Sequence, residues 1–580
     1  MPVSRLYTGY VETLACGNGA GLHALLARAQ QALERGLHAA LLVDYEFGGG
    51  LHRIAPRPQA GPLARVLLFT DCRMLSRGEA DDWLAQCAGA APAGIAGMRA
   101  GDDAGRFERA IERIHAWLEA GDAYQVNYTW RYHFDAWGEP AALYRRLRAR
   151  QPVPYGALAL LPDGGALLSL SPELFMRQRG RTLTAQPMKG TAAASGDPVR
   201  DADSVMRMKG DPKTRAENLM IVDLLRNDFG QVADIGSVRA PALFQVERFG
   251  AVLQMTSTVS ASRRADVSNA QVLAALFPCG SVTGAPKRRA MQIIRELESE
   301  PRGIYSGAIG WLEASGDFCL SVPIRTLALA PPRQGVRAGV LGVGAGIVHD
   351  SRAADEYAEC LQKARFLTGL PQEFTLFETM HATRGQGCRH LARHLARLRA
   401  SAAYFGFTWD EEWLRAEIDA ACAALGAGGH ALKLSLSHDG DVALQASSLM
   451  PWPQPVTVLL ATQPTCADDL FLRHKTSLRE RYDQAWRAAQ AEGAFDMLFH
   501  NDRGELSEGG RSNVFLRLDG AWLTPPLEAG VLPGVMRGVL LDDPAWSARE
   551  ATLTMDDLSD AEEVVVCNAL RGAMRATVRR

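Results

Sequence analysis

The sequence predicts an α+β or α/β protein built from two different units joined end to end. Three observations carry this reading. At 580 residues the chain exceeds what one hydrophobic core organises. Apolar runs of strand length alternate throughout with helical spacings, and Gly and Pro punctuate them. Pro371 follows the run "EYAECLQKARFLTGL", and the patterns on its two sides do not resemble each other. The expected division is a first unit over 1–369, with an N-terminal part, 1–100, and a catalytic part, 101–369. A linker over 370–374 leads to a second unit over 375–580.

The elements follow in order. Residues 1–100 mix short strands ("AALLVDYEF", "RVLLFT") with Gly/Pro loops. "RFERAIERIHAWLEAGDAYQVNYTWRYHF" reads as a helix and then a strand: Ile111, Ile114 and Leu118 share one helical face, and Gly121 stops it. "GALALLPDGGALLSLSPELFMRQRG" reads as a hairpin. In "LTAQPMKGTAAASGD", Pro187 and Gly190 flank Lys189 and predict a turn or strand end. "DPKTRAENLMIVDLLRNDFG" is a helix ended by Gly230. "GSVTGAPKRRAMQIIRELESE" is a loop leading into an amphipathic helix, with Pro286 at its first position. The second unit opens on "EFTLFETMHA", continues as the helix "HLARHLARLRASAAYF", and passes into mixed strands.

Composition narrows the function. Apolar residues make up 47% and charged residues 22%, the balance of a globular protein. Lys plus Arg is 63 and Asp plus Glu is 65, a net charge of -2, so no basic excess points to nucleic acid or to a membrane surface. The N-terminus lacks a charged-then-apolar leader pattern. The ten Cys form no CxxC pair, which fits reduced thiols and a cytoplasmic location.

Certain charged residues sit where charge is costly. "SPELF" places Glu173 at the end of an apolar strand, and "AENLMIVDLLRND" places Glu217 on an apolar helix. "GAGIVHDSRAADEYAECLQKA" sets Glu356, Glu359 and Lys363 on one helical face after a glycine-rich loop. "SVPIRTL" buries Arg325 in an apolar strand. Carboxylates from different helices, with no His or Cys beside them, suit a hard cation such as Mg²⁺. An arginine and a glycine-rich loop suit carboxylate recognition. Each residue alone reads as a surface charge or a structural ion pair; their joint presence describes a metal site for a small polyanion.

In order, "SPELF", "PMKGT", "AENLMIVDLLRND", "FPCGSVTGAPK", "RGIYSGAIG", "IRTL" and "GAGIVHDS…EYAECLQKA" resemble the motifs of the chorismate-utilising enzymes. That family includes anthranilate synthase component I, isochorismate and salicylate synthases, and aminodeoxychorismate synthase component I. The resemblance covers roughly 105–367 and implies two stacked sheets flanked by helices. It implies Mg²⁺ on Glu217 and Glu359, with Glu356 beside them, clamping the ring carboxylate of chorismate. It places Tyr305 and Arg325 on the enolpyruvyl carboxylate. Lys363 and the loops carrying Gly280, Ser281, Thr283 and Gly284, and Gly344, Ala345 and Gly346, line the site. Glu173 is the implied general acid for the C4 hydroxyl. Anthranilate synthases carry Ala where this chain has Lys189; aminodeoxychorismate synthases carry Lys. The implied chemistry is covalent: Lys189 attacks C2 as the hydroxyl leaves C4, then ammonia adds at C4 and expels the lysine. Family members often have His where this chain has Gln254, which hydrogen-bonds but carries no charged proton. A glutaminase half, with its elbow Cys and His-x-Glu, is not apparent, so the resemblance implies a separate glutamine amidotransferase subunit or free ammonia.

In the second half, "RHKTSLRERYDQA" offers Lys475 for a Schiff base, "ELSEGGRSNVF" offers Glu508 for a pyridinium nitrogen, and Arg397 with the Gly534–Val535–Met536 turn offers a phosphate cradle. These motifs resemble the two-lobed fold-type IV pyridoxal-phosphate enzymes: branched-chain and D-amino acid aminotransferases, and aminodeoxychorismate lyase. The resemblance adds Asn513 and Ala569 to the cofactor residues and a homodimer formed through this unit. Met536 and Ala569 stand where relatives carry Thr and Ser, removing two phosphate-binding hydroxyls. The lyase's substrate is the synthase's product, so the two halves together imply a bifunctional route from chorismate to 4-aminobenzoate, a folate precursor. The rivals are a synthase carrying an inert second module, and an anthranilate synthase fused to an aminotransferase.

Overall fold

The computed structural model describes residues 4–55, 57, 61–249 and 252–579. The chain forms two compact units: Met1–Ala93, Arg99–Pro331 and Ala338–Leu370 make the first, and Gly94–Met98, Pro332–Arg337 and Pro371–Arg580 make the second.

Two sheets organise the first unit. The larger runs Ser4–Cys16, Ala64–Leu75, His38–Val43, Ala308–Leu312, Phe318–Ser321, Leu174–Arg179, Thr182–Gln186, Val252–Ser262 and Met188–Ala193, with Arg239–Phe249 on the other side of Val252–Ser262. The other runs Gly284–Ala285, Gln125–Trp137, Arg337–Ile347, Thr326–Leu329, Ala166–Ser171 and Tyr155–Leu160. Leu42, Leu67 and Ile309 of the larger sheet pack with Leu167 of the other in one buried cluster, so apolar faces meet there. A larger cluster joins Leu22, Leu25 and Leu33 of helix Leu22–Glu34 to Ile221, Leu225 and Phe229 of helix Pro212–Gly230. Burial of each such side chain contributes about 1.5–3 kcal/mol. The early residues therefore share one core with the helix that carries Glu217.

The helices Ala104–Glu119 and Pro212–Gly230 fall where the periodicity sets them, and Ile111 and Ile114 are buried. Gly121 follows the first in a left-handed conformation, as a helix stop requires. Four local expectations are corrected. The glycine-rich loop is a strand: Gly344, Ala345 and Gly346 lie within Arg337–Ile347. Glycine is needed there for close approach, since a Cβ on Gly342 would fall 2.4 Å from the Tyr305 ring. Arg325 is not in a strand but just before one, at φ 52°, a left-handed conformation that costs energy outside glycine. Pro286 is the residue before helix Lys287–Leu297 rather than its first residue. Tyr155–Leu160 and Ala166–Ser171 do pair as a hairpin, but Leu174–Arg179 crosses to the larger sheet, leaving Glu173 in the corner between them.

The second unit has an antiparallel sheet, Gly387–Cys388, Leu376–Thr383, His430–Leu436 and Val442–Ser448. Its eight-stranded sheet runs Leu506–Gly509, Asp496–His500, Val456–Leu460, Gly572–Arg579, Glu563–Asn568, Asn513–Leu518, Ala521–Thr524 and Arg549–Glu550. Strict alternation along Leu376–Thr383 buries Leu376, Glu378, Met380 and Ala382 and leaves Phe377 and Thr379 on the opposite face. Among the described residues, no helix is long and apolar enough to cross a membrane.

Candidate active sites

A cavity of about 810 Å³ in the first unit is lined by Glu173, Lys189, Glu217, Gln254, Ser281, Tyr305, Arg325, Gly344, Gly346, Glu356, Glu359 and Lys363. These residues are scattered through the sequence and share a wall only because the strands pair over long range. Lys189 lies in the strand Met188–Ala193, where the register slips between Lys189 and Thr191 and Gly190 takes φ 78°. Such a bulge re-aims a side chain. Its amine stands 3.9 Å from a Glu217 oxygen. Lys363 sits 2.8 Å from Glu359 and donates to the Gly344 carbonyl at 2.8 Å. Burial pushes Glu359 upward, but Lys363, Lys189 and Lys213 outweigh it and hold the carboxyl below its usual value. Glu356 accepts from Ser351 Oγ at 2.7 Å, and burial raises its pKa.

Glu173 is 3% exposed, and burial pushes its carboxyl up to about 7, against the pull of Ser281 and Lys189. Its Oε1 has no hydrogen-bond partner, so the acid retains a free oxygen at neutral pH. Burial raises the Tyr305 phenol, which keeps it a donor. The Arg131 guanidinium lies 5.3 Å from that ring. Arg131 in turn belongs to a buried network with Glu298 and Arg302, and Arg302 donates to the Val282 and Asn127 carbonyls at 2.7 Å each. Burial lowers Arg325 to about 10, and its Nη1 is unpartnered. An unpartnered buried guanidinium beside a cavity is a ready anion site.

Four residues expected at this cavity do not line it. Gly280 packs on Leu224, and Thr283 Oγ1 donates to the Cys279 and Gly280 carbonyls, closing the turn. Gly284 packs against the Gln125 backbone, and Ala345, 1% exposed, falls on the opposite strand face from Gly344 and Gly346. They shape the wall from behind.

The carboxylates fit a hard cation by donor chemistry, since only oxygen is offered. Among the described residues, however, no three of His, Cys, Asp and Glu stand close enough to hold a metal ion together. Glu217 and Glu359 are each balanced by a lysine instead.

The second unit holds a cavity of about 990 Å³, lined by Arg397, Lys475, Glu508, Asn513, Val535, Met536 and Ala569. Lys475 lies in an extended segment before helix Glu480–Ala491, anchored by its carbonyl accepting from Phe377 N. Burial, with Arg479 and Arg397 adding like charge, lowers its amine to about 7. Glu508 is pushed up to about 8 by burial, although it accepts from Asn513 Nδ2 at 3.0 Å, Leu532 N at 3.1 Å and Tyr482 Oη at 3.3 Å. Arg397 is braced by Glu378 at 2.8 and 2.6 Å and by the Pro533 carbonyl, with further N–H groups to spare. Val535 and Met536 begin helix Val535–Asp542, whose first N–H groups have no partner within the helix. An amine poised near 7, a buried carboxyl and a helix N-terminus beside an arginine fit pyridoxal phosphate.

Sequence reasoning missed two residues. Gln125 is fully buried with both amide atoms unpartnered, and a Cβ on Gly346 would fall 2.5 Å from its Nε2 and 2.6 Å from Lys189 Nζ. A Gln inside the apolar strand "YQVNYTW" was the available signal. Arg479, 15% exposed at its side chain, had no signal beyond its closeness to Lys475 in sequence.

Residues 18–369 match the family model described as chorismate binding enzyme, and residues 375–578 match that described as amino-transferase class IV. Over 253 residues, 44% of this chain and 55% of the relative, the sequence is 44% identical to aminodeoxychorismate synthase component 1 of Klebsiella aerogenes. It is also 39% identical over 280 residues, 48% of this chain and 54% of the relative, to anthranilate synthase component 1 of Streptomyces coelicolor. The chain thus spans about half the length of these curated relatives. The crystal structure of anthranilate synthase component I from Streptococcus pneumoniae matches with a TM-score of 0.55 at 25% identity, covering 63% of this chain and 92% of that one.

Proposed function

The chain belongs to the chorismate binding enzymes, and from that premise we propose that it makes 4-aminobenzoate from chorismate in two stages, one in each cavity. The observation that carries this is Lys189 in the same wall as Glu173 and the three glutamates. Tyr305 and Arg325 receive the enolpyruvyl carboxylate. Glu217 and Glu359 would offer oxygens to Mg²⁺, which when bound neutralises the ring carboxylate. The Lys189 amine bonds to C2 while the C4 hydroxyl leaves with the proton of Glu173. Ammonia then bonds to C4, the C2–nitrogen bond breaks, and Lys189 is restored. Relatives named component 1 support a separate glutamine amidotransferase as its source.

In the second cavity, pyridoxal phosphate when bound supplies an electron sink. Glu508 would hold its ring nitrogen, Arg397 and the Val535 and Met536 N–H groups would hold its phosphate, and Lys475 would move the proton as pyruvate leaves. Met536 and Ala569, without hydroxyls, favour a second reading in which only the first cavity is active. Incubating the purified chain with chorismate, Mg²⁺, ammonia and pyridoxal phosphate separates the readings. 4-Aminobenzoate is expected. Anthranilate refutes the C4 assignment, and aminodeoxychorismate that accumulates unchanged refutes the second stage.

A further inference from the structure

Once the cofactor residues are set aside, the second cavity keeps a one-sided charge. Lys433, Arg479, Arg487, Arg511 and Arg571 line it, against the single carboxylate of Asp483. Like charges gathered on a wall repel one another and are tolerated where an anion is bound.

Two of these cations are prepared for a ligand. The Arg511 guanidinium lies 3.2 Å from the centre of the Trp486 ring, and among the described residues its side chain has no hydrogen-bonded acceptor. Stacking fixes the plane of a guanidinium while leaving its edge free. Arg479 is held from behind: Nε donates to Asp483 Oδ1 at 3.0 Å and Nη2 to the Gly510 carbonyl, leaving Nη1 without an acceptor among the described residues. Gly510 immediately precedes Arg511, so the bond that holds Arg479 also ties the two arginines to one stretch of chain. Burial and the charge of Arg479 both press Arg511 downward, which places the two within electrostatic reach of each other.

We propose that Arg479 and Arg511 form a carboxylate subsite, so that the second cavity selects a substrate with two carboxylates over one with a single carboxylate. The inference rests on the reading of this cavity as a lyase site for the first cavity's dicarboxylate product, and names the residues that recognise it. Arg511 is exposed, so it can be replaced without opening the core.

The test uses the full chain loaded with pyridoxal phosphate and titrated with isophthalate or benzoate. Binding is read from the cofactor's visible absorbance band, which excludes ligand taken up by the first cavity, and from inhibition of pyruvate release. Isophthalate is expected to bind at least about tenfold more tightly than benzoate. Arg511→Gln should lose that preference, and Arg511→Lys should retain part of it. Equal binding of the two ligands by the unaltered chain, or an undiminished isophthalate preference in Arg511→Gln, overturns the subsite. Failure of the unaltered chain to release pyruvate from aminodeoxychorismate instead overturns the lyase reading, and the absorbance titration still decides the subsite.

Discussion

Lys189 and Lys475 each present a primary amine to a cavity, but Lys189 faces carboxylates and Lys475 faces guanidiniums. The first stands 3.9 Å from Glu217, with Glu359 and Glu356 within electrostatic reach. The second is wrapped by Phe377, Arg479 and Arg397 and brought to about 7. The difference matches the tasks proposed for them. An amine that must capture an aldehyde gains from losing its proton before any ligand arrives. Two lysines indistinguishable by residue type are thus set apart by neighbours drawn from other parts of the chain.

The sharpest way to break this comparison is to remove each amine. Lys189→Ala should lower amination at C4 by more than about 10³-fold and leave pyruvate release from supplied aminodeoxychorismate within about twofold. Lys475→Ala should do the reverse and lose the cofactor's absorbance band. Anthranilate appearing in Lys189→Ala would show that the lysine chooses the ring carbon; an unchanged product at an unchanged rate refutes its covalent role.

Glu173 gives the next largest effect. Glu173→Gln should slow amination by about 10²–10⁴-fold. In the unaltered chain the rate should fall as pH rises through about 7, because the acid then loses its proton. Stability should fall over the same rise in pH. A carboxyl raised from 4.5 to about 7 on folding weakens the fold above that range, so Glu173→Gln should stabilise the protein at pH 8 by up to about 3 kcal/mol, read by thermal melting. Equal stability at pH 8 and pH 5 for both forms refutes the buried-acid assignment.

Lys475 makes a smaller, graded prediction. The rate of cofactor loading should rise with pH around a midpoint near 7, where an ordinary lysine would need pH above 10. Arg479→Gln removes a like charge and should move that midpoint upward. A midpoint above 9 in the unaltered chain contradicts the desolvated amine. The smallest effect concerns the missing hydroxyls: Met536→Thr and Ala569→Ser should each tighten pyridoxal phosphate binding about fivefold, one added hydrogen bond's worth. No gain from the pair places the phosphate elsewhere.

Much of the site was legible because its residues are costly where they stand. Glu173 in an apolar corner, Glu217 on an apolar helix and Arg325 in an apolar stretch each broke a local pattern, and all three line one cavity. What failed to read depended on pairing between distant segments. Gly344 to Gly346 read as a loop because nothing local says that Gln125–Trp137 and Thr326–Leu329 flank them. Ala345 read as part of the site because only the strand shows that its neighbours take the other face. Gln125 and Arg479 gave too little signal by themselves; one is defined by an amide left unpartnered in the folded core, the other by a cavity wall.

The sequence by itself singled out the candidate groups: the acids, the amines, the helices that carry the glutamates, and the change of pattern at Pro371. Those features are local, set by spacing and by the cost of burying charge. The tertiary structure alone decided which amine faces carboxylates and which faces guanidiniums. It also decided which glycines admit a tyrosine ring or an amide, and which arginines keep a free edge. Each of these depends on groups distant in sequence sharing one low-dielectric wall, and burial and neighbouring charge act only once the chain has folded.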